Sequence, residues 1–289
     1  NSSDQAAGAK SNGLLNPKNR GTFVGLEKNK VGSIRLGTQE TTAYELFAMD
    51  VNGRVEYKPQ VWRYVASNST QDRAGNSIKI TTTELAGFTL AYMYAPQEKA
   101  NGTNAKDTPE FRSTGVKYNG GPFQASVVWD SASFSSSASA DASAGRYRFP
   151  GDQYEGVVTV DGAKTTYATA ADGRALNRTI AGLSYDFGSV KAVFIYADSM
   201  NSAGKLSTST YGVRVPLGDF TLALSYGDGQ YNNSDRSVYG NVNDTTFGAY
   251  YNFDKSTSVY LLNSSAYHGY KTNAPGSTKT MALGVRYNF

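Results

Sequence analysis

The chain has 289 residues, 39% of them hydrophobic, with 28 Lys and Arg against 24 Asp and Glu, one histidine and no cysteine. No apolar run approaches the ~18 residues of a membrane-spanning helix, which excludes a helical membrane protein. The net charge of +4 is too small to imply a nucleic-acid partner. Without cysteine, and with His268 alone, neither a metal cluster nor a Cys–His pair can be assembled.

Two-residue alternation of apolar and polar residues recurs from about residue 20 to the end. Successive side chains of a strand point to opposite faces, so the pattern predicts strands with one oily and one wet face. Thirteen are predicted, over 20–27, 31–38, 76–83, 87–95, 111–118, 122–130, 177–187, 189–198, 208–217, 219–228, 244–253, 256–267 and 279–289. The last is the clearest: Met281, Leu283, Val285, Tyr287 and Phe289 alternate with Ala282, Gly284, Arg286 and Asn288. Their lengths approach the ~9–11 residues that a tilted membrane strand needs. The 21 Tyr, 13 Phe and many Ser and Thr suit strands, and the 30 Gly suit turns. Short connections at 27–31, 84–87, 119–121, 187–189, 217–219 and 253–255 alternate with long ones at 39–75, 96–110, 131–176, 199–207, 229–243 and 268–278. Short turns at one rim and long loops at the other describe a transmembrane barrel rather than a soluble sandwich. The predicted fold class is all-β, a transmembrane antiparallel β-barrel forming one domain over 1–289.

One face of these strands is apolar and uncharged, from Ile34 and Leu36 through Phe88, Leu90 and Tyr92 to Phe247, Tyr251 and Phe253. A lipid-facing Lys or Arg at midplane costs about 2–4 kcal/mol, so an uncharged outward face is expected. The inward face carries Arg35, Lys79, Lys117, Arg178, Lys191, Arg214 and Arg286. All are basic; acids at inward parity are expected only near strand ends, at Asp130 and Asp186. Cations in a confined channel create a positive potential, so anions should enter more easily than cations. These seven are the candidate pore-lining residues.

The long connection 39–75 carries Tyr44, Leu46, Phe47, Met49, Val55, Tyr57, Trp62 and Tyr64. A solvated external loop has no need of so many apolar groups, so this one is predicted to fold into the barrel and narrow it. Its acids Glu45, Asp50 and Glu56 would then face the basic wall across the constriction, and the loop also carries Arg54, Lys58 and Arg63. Segment 131–176, rich in Ser and Ala at its start, is predicted to be a long extracellular loop. No cofactor is expected: Asp50-Val-Asn-Gly53 resembles the start of a calcium loop but lacks the rest of the pattern.

Several motifs in order resemble one family. They are Asn19-Arg20-Gly-Thr-Phe-Val-Gly25-Leu26, Gly32-Ser-Ile-Arg-Leu-Gly37 and Asn76-Ser-Ile-Lys-Ile80, then Leu85-Ala-Gly-Phe88 and Tyr118-Asn-Gly-Gly-Pro122. Tyr185-Asp-Phe-Gly188, Phe247-Gly-Ala-Tyr-Tyr-Asn-Phe253 and the closing Leu283-Gly-Val-Arg-Tyr-Asn-Phe289 complete the set. Together they resemble the trimeric general porins of β-proteobacteria and neisseriae, over nearly the whole chain from about residue 16. The resemblance implies a barrel of sixteen strands, an inward-folded third loop and a homotrimer in the bacterial outer membrane, surrounded by lipid and lipopolysaccharide. Only thirteen strands are visible in the sequence, so the missing ones would precede residue 1. The family usually continues Leu-Gly with Arg where Thr38 stands here, which weakens any strong anion selectivity. Arg20, at the rim, has outward parity in this register.

The expected function is passive: a general diffusion porin passing small hydrophilic solutes and ions, with a mild anion preference and no catalysis. A substrate-specific channel for carboxylate or phosphate-bearing solutes uses the same wall as a binding track. A plugged barrel acting as adhesin or receptor is a second alternative, and an outer-membrane hydrolase using His268 a third.

Overall fold

The computed structural model describes residues 21–45, 73–97, 110–133, 159–160, 163–164, 176–201, 204–233, 238–254, 256–270 and 273–287. Strands β1 (Thr22–Lys28), β2 (Gly32–Glu40), β3 (Arg73–Thr82), β4 (Phe88–Ala95), β5 (Glu110–Gly120) and β6 (Phe123–Ser133) come first. A two-residue pair follows, β7 (Thr159–Val160) with β8 (Ala163–Lys164). Then come β9 (Leu176–Asp186), β10 (Lys191–Asn201), β11 (Gly204–Leu217), β12 (Phe220–Asn233), β13 (Val238–Asn252), β14 (Thr257–Tyr270) and β15 (Asn273–Tyr287). Apart from β7 and β8 they form one 13-stranded antiparallel sheet in strict chain order, with β1 and β15 as its end strands. All thirteen predicted strands are present.

The register puts the predicted oily residues on one face. Val24 pairs with Leu36 and Leu26 with Ile34; Ile34 and Leu36 pair in turn with Ile80 and Ile78. The row Val213–Leu224–Phe247 continues the same face across β11 to β13. These side chains are exposed because nothing in the protein covers them; their partner is the hydrocarbon of a bilayer. Aromatic residues concentrate in two belts on this face. One lies at the short turns, where Phe88 meets Tyr118 at 4.7 Å, Phe220 meets Tyr251 at 4.8 Å and Tyr185 meets Phe187 at 4.5 Å between ring centroids. The other lies toward the long connections, at Tyr94, Trp129, Tyr196, Tyr211 and Tyr226. Amphipathic rings suit the two membrane–water interfaces.

Both glycines of the Gly32-Ser-Ile-Arg-Leu-Gly37 motif answer to the backbone. Gly32 has φ +140 and Gly37 φ +131, values that L side chains rarely adopt. A side chain would strike the Thr81 carbonyl at position 32 and the Thr22 carbonyl at position 37. A bulge follows between Gly37 and Gln39. There the Gln39 amide donates to Arg35 O at 3.2 Å and to Ser77 Oγ at 3.1 Å, while Ser77 Oγ donates to Gly37 O at 2.8 Å. Pairing resumes at Gln39 and Glu40, and a single helical turn, α1 (Thr42–Glu45), follows the strand.

The later strands run further than predicted. β12 continues to Asn233, β13 begins at Val238 and β15 at Asn273, each inside a stretch the sequence pattern assigns to loop. Backbone pairing persists there after the apolar alternation has stopped.

Candidate functional site

The inward face is built from the alternate residues of the same strands. Arg35, Lys79, Lys117 and Arg214 each stand three residues from the short-turn end of their strand. Lys191 is the first residue of β10, and Arg286 the last but one of β15. The register therefore gathers six of the seven predicted cations within four residues of the short-turn ends. Arg35 pairs directly with Lys79, and Lys191 with Arg214. Like charges placed opposite each other weaken a sheet, so neither pair is there to hold strands together.

Aromatic rings hold two of these cations in place. The guanidinium of Arg35 lies 5.1 Å from the centroid of Phe23, and that of Arg214 lies 5.1 Å from the centroid of Tyr250. Tyr250 in turn sits 6.1 Å from Tyr260, whose ring fills the space beside Gly284. Lys117 and Arg286 are exposed; Lys191 and Arg214 are half-buried. Lys191 also pairs across the strand with Asp186, whose Oδ1 accepts the Gly188 amide at 2.8 Å and closes the turn. Lys79 is only 5% exposed, and its Nζ donates to the Glu40 carbonyl at 3.3 Å.

Arg178 departs from the expectation of a water-facing cation. It stands eight residues above the short-turn end of β9, with its side chain 1% exposed against Asp130. Its Nε donates to Asp130 Oδ2 at 2.8 Å and its Nη2 bonds the same oxygen. A buried charge survives only when paired, so this arginine neutralises Asp130 and belongs to the packing of the wall. Asp130 itself is internal to β6, which extends past it to Ser133. Asp244 was not anticipated. It lies inward on β13 and is fully buried; the predicted strand begins on this residue, whereas β13 starts six residues earlier and makes it internal.

A second finding concerns the inward face toward the long connections. There Val128, Ile180, Ile195, Leu206, Val242 and Leu262 point inward, each 3% exposed or less. They form one buried cluster that includes Ala43 of α1. The turn α1 thus packs on the inner wall. A side chain at Gly115 on β5 would collide with Thr42 Cγ2, so the glycine leaves room for that contact. Glu45 ends α1. Asp50, Arg54, Glu56, Lys58 and Arg63 of the predicted constriction, and Arg20 at the predicted rim, lie outside the described residues, as does most of 131–176. His268 falls within β14, opposite Val242, rather than in a loop. Among the described residues no cluster of three potential metal ligands occurs.

Comparison with known proteins agrees with this geometry. A family model described as Gram-negative porin matches residues 1–289. The fold resembles an anion-selective porin from Comamonas acidovorans, with a TM-score of 0.66 at 18% identity over 93% of this chain and 78% of that one. It also resembles OmpT of Vibrio cholerae, with a TM-score of 0.65 at 14% identity over 93% and 80%. OmpF of Salmonella typhi, in complex with daunomycin, gives 0.64 at 16% identity over 93% and 78%. No curated protein sequence is significantly similar to the chain. The whole-length match, the antiparallel sheet with its belted oily face and the likeness to solved porins lead to one assignment: the chain belongs to the Gram-negative porin family and forms a diffusion channel in the bacterial outer membrane.

Proposed function

We propose that this channel is a general diffusion porin for small hydrophilic solutes with a mild preference for anions. The observation that carries the reading is the set of Arg35, Lys117, Lys191, Arg214 and Arg286, gathered on the inward face within four residues of the short-turn ends, with Lys79 buried behind Arg35. Two cross-strand pairs of like charge weaken the sheet, and attraction of anions gives that placement a use. The solved porin from Comamonas acidovorans is described as anion-selective, which accords with the reading. Single-channel conductance and reversal potential in a salt gradient test it. A reversal potential on the anion side supports it, and a cation preference or a closed pore overturns it.

The loop 39–75 is proposed to fold inward and set the size limit. The support is its first turn: Ala43 packs against the apolar inner cluster of Val128 and Ile180. An apolar inner wall on one side and an apolar loop on the other provide the two surfaces such a constriction needs. The charges of Glu45, Asp50, Arg54, Glu56, Lys58 and Arg63 would then meet permeating ions within it. In this reading segment 131–176 lies outside the cell, as does the rest of the long-connection rim.

Three copies are proposed to assemble through β1–β3. Between their polar ends at Thr22, Lys28 and Thr82, the outward side chains of these strands are Val24, Leu26, Ile34, Leu36, Ile78 and Ile80, with no aromatic among those described. Both aromatic belts stop there. A sector without interfacial anchors, made of flat aliphatic rows, suits contact with another protein better than contact with headgroups.

A further inference from the structure

Four inward side chains near the short-turn mouth line up as cation, ring, ring, cation. Arg214 on β11 has the small Ala223 of β12 as its cross-strand partner, and Ala223 in turn faces Gly248 of β13. The guanidinium reaches past both and lies 5.1 Å from the ring centroid of Tyr250 on β13. Tyr250 and Tyr260 of β14 are direct cross-strand partners, with centroids 6.1 Å apart and planes inclined at 39°. Opposite Tyr260 stands Gly284 of β15, and Arg286, two residues on, shares the same face.

Gly284 sets the pose of Tyr260. A Cβ at position 284 would strike Cζ, Oη and Cε1 of that ring. The ring therefore lies along the wall over bare backbone, with one face on the strand and the other toward the lumen. Tyr260 is half-buried, whereas Tyr250 is only 5% exposed. An aromatic face held open in this way is a stacking platform, because ring pairs in offset or tilted contact gain more than their buried area alone provides.

The surroundings of the platform define what it fits. Away from the rim the inward neighbours of Tyr260 are Leu262 and Ala282; toward the rim they are Ser258 and Arg286. Arg286 is exposed and, as a diagonal cross-strand neighbour, within reach of the ring. One end of the platform is thus apolar and the other cationic. A solute that matches both has a flat ring with a carboxylate at its edge. A sugar acid matches less well, since its hydroxyls need acceptors and none of these neighbours is a carboxylate. The nearby Asn252 amide is engaged, donating to Asp219 O at 3.1 Å and Thr221 Oγ1 at 3.3 Å. We propose that Tyr260 and Arg286 form a low-affinity site for aromatic monocarboxylates at the short-turn mouth. This rests on the reading of the pore as an anion path and names the class of anion retained there.

The test titrates the single-channel chloride current with benzoate, cyclohexanecarboxylate, benzamide or glucuronate, added to each side in turn. Benzoate should half-block at a concentration about fivefold below cyclohexanecarboxylate, which has similar size and charge but no aromatic face. Benzamide, which lacks the charge, and glucuronate, which lacks the aromatic ring, should both be weaker than benzoate. Tyr260→Phe should keep the benzoate advantage and Tyr260→Leu should abolish it. Gly284→Ala retains the ring but forces it off the strand, so the advantage should shrink there too. Arg286→Gln should reduce benzoate to the level of benzamide. Each comparison is made within one variant, so a general change of conductance cancels. Equal potency of benzoate and cyclohexanecarboxylate on the wild type overturns the inference, as does an advantage that survives both Tyr260→Leu and Gly284→Ala. Glucuronate as potent as benzoate overturns the aromatic assignment in favour of a sugar acid. Calorimetry of the same probes on the detergent-solubilised protein reads the same ratios without current. A closed pore or a cation-side reversal potential in chloride salt therefore counts against the anion path alone, while equal binding of the two acids counts against this site alone.

Discussion

Reversing the charge of Arg35 and Arg214 together, to Glu, should turn the proposed anion preference of the pore into a cation preference. Both residues stand inward, half-buried and at matching depth on β2 and β11. A unit charge about 10 Å from an ion in water acts with about 0.4 kcal/mol. At 0.1 M salt the Debye length is also about 10 Å, which leaves about 0.15 kcal/mol. The double reversal changes the ring by about four charges, worth roughly 0.6 kcal/mol for a cation and the opposite for an anion. The cation-to-anion permeability ratio should therefore rise about sevenfold, since 1.4 kcal/mol is tenfold. At 1 M salt the Debye length falls to about 3 Å, and the same substitutions should change the ratio by less than about 1.5-fold. Reversal potentials in planar bilayers at both salt concentrations provide the measurement. An unchanged ratio at low salt would remove these arginines from the selective path. A shift that persists at high salt would show that they act through structure rather than field.

Further expectations follow from other parts of the wall. Asp130→Asn should destabilise the protein by about 3–5 kcal/mol, because it strands the Arg178 charge in a buried site. Asp130→Leu with Arg178→Leu should be far closer to wild type, and both should leave the reversal potential alone; denaturant midpoints and bilayer recordings check this, and a selectivity shift equal to that of Arg214 would contradict it. Deleting 46–64 should raise single-channel conductance if that segment narrows the pore; conductance equal to wild type would place it elsewhere. Asp254, in the turn before β14, accepts the Ser256 amide at 2.6 Å, Ser256 Oγ at 2.7 Å and the Thr257 amide at 2.7 Å. Bonds to the charged form hold its carboxyl below the usual carboxylate range. The turn's gain from it is thus present above the unfolded value and lost as pH falls through the lower folded one. A carboxyl titration by NMR with its midpoint at or above the ordinary aspartate value would refute this.

The strands were legible because a bilayer imposes a simple rule on them. Wherever the outward side chain meets hydrocarbon, it must be apolar, and the period of two appears in the sequence, as at Val213, Val215 and Leu217. Beyond the tyrosine belt that demand lapses. Asp228, Gln230, Asn241 and Asn243 are as much strand as Leu224, yet they read as loop, since pairing there is carried by backbone hydrogen bonds that composition does not record. The six cations at the short-turn rim were found by parity alone. Arg178 was found by the same parity, but its burial depends on Asp130, a neighbour on another strand. The inner apolar cluster had a visible signal: Val128, Ile180, Ile195 and Leu262 all break the polar pattern at inward positions. An oily residue facing a channel needs something to cover it, and α1 supplies part of that cover.

The cationic ring lies near one mouth of the pore rather than at its waist. A fixed charge placed off-centre makes a conduit unequal in its two directions. If these cations act on permeating ions as proposed, ions entering at the short-turn mouth would be sorted by sign at once, while those from the other mouth would travel most of the wall before they met the same field. Such a conduit rectifies: at low salt its current should differ with the polarity of the applied voltage, and the asymmetry should fade as electrolyte rises.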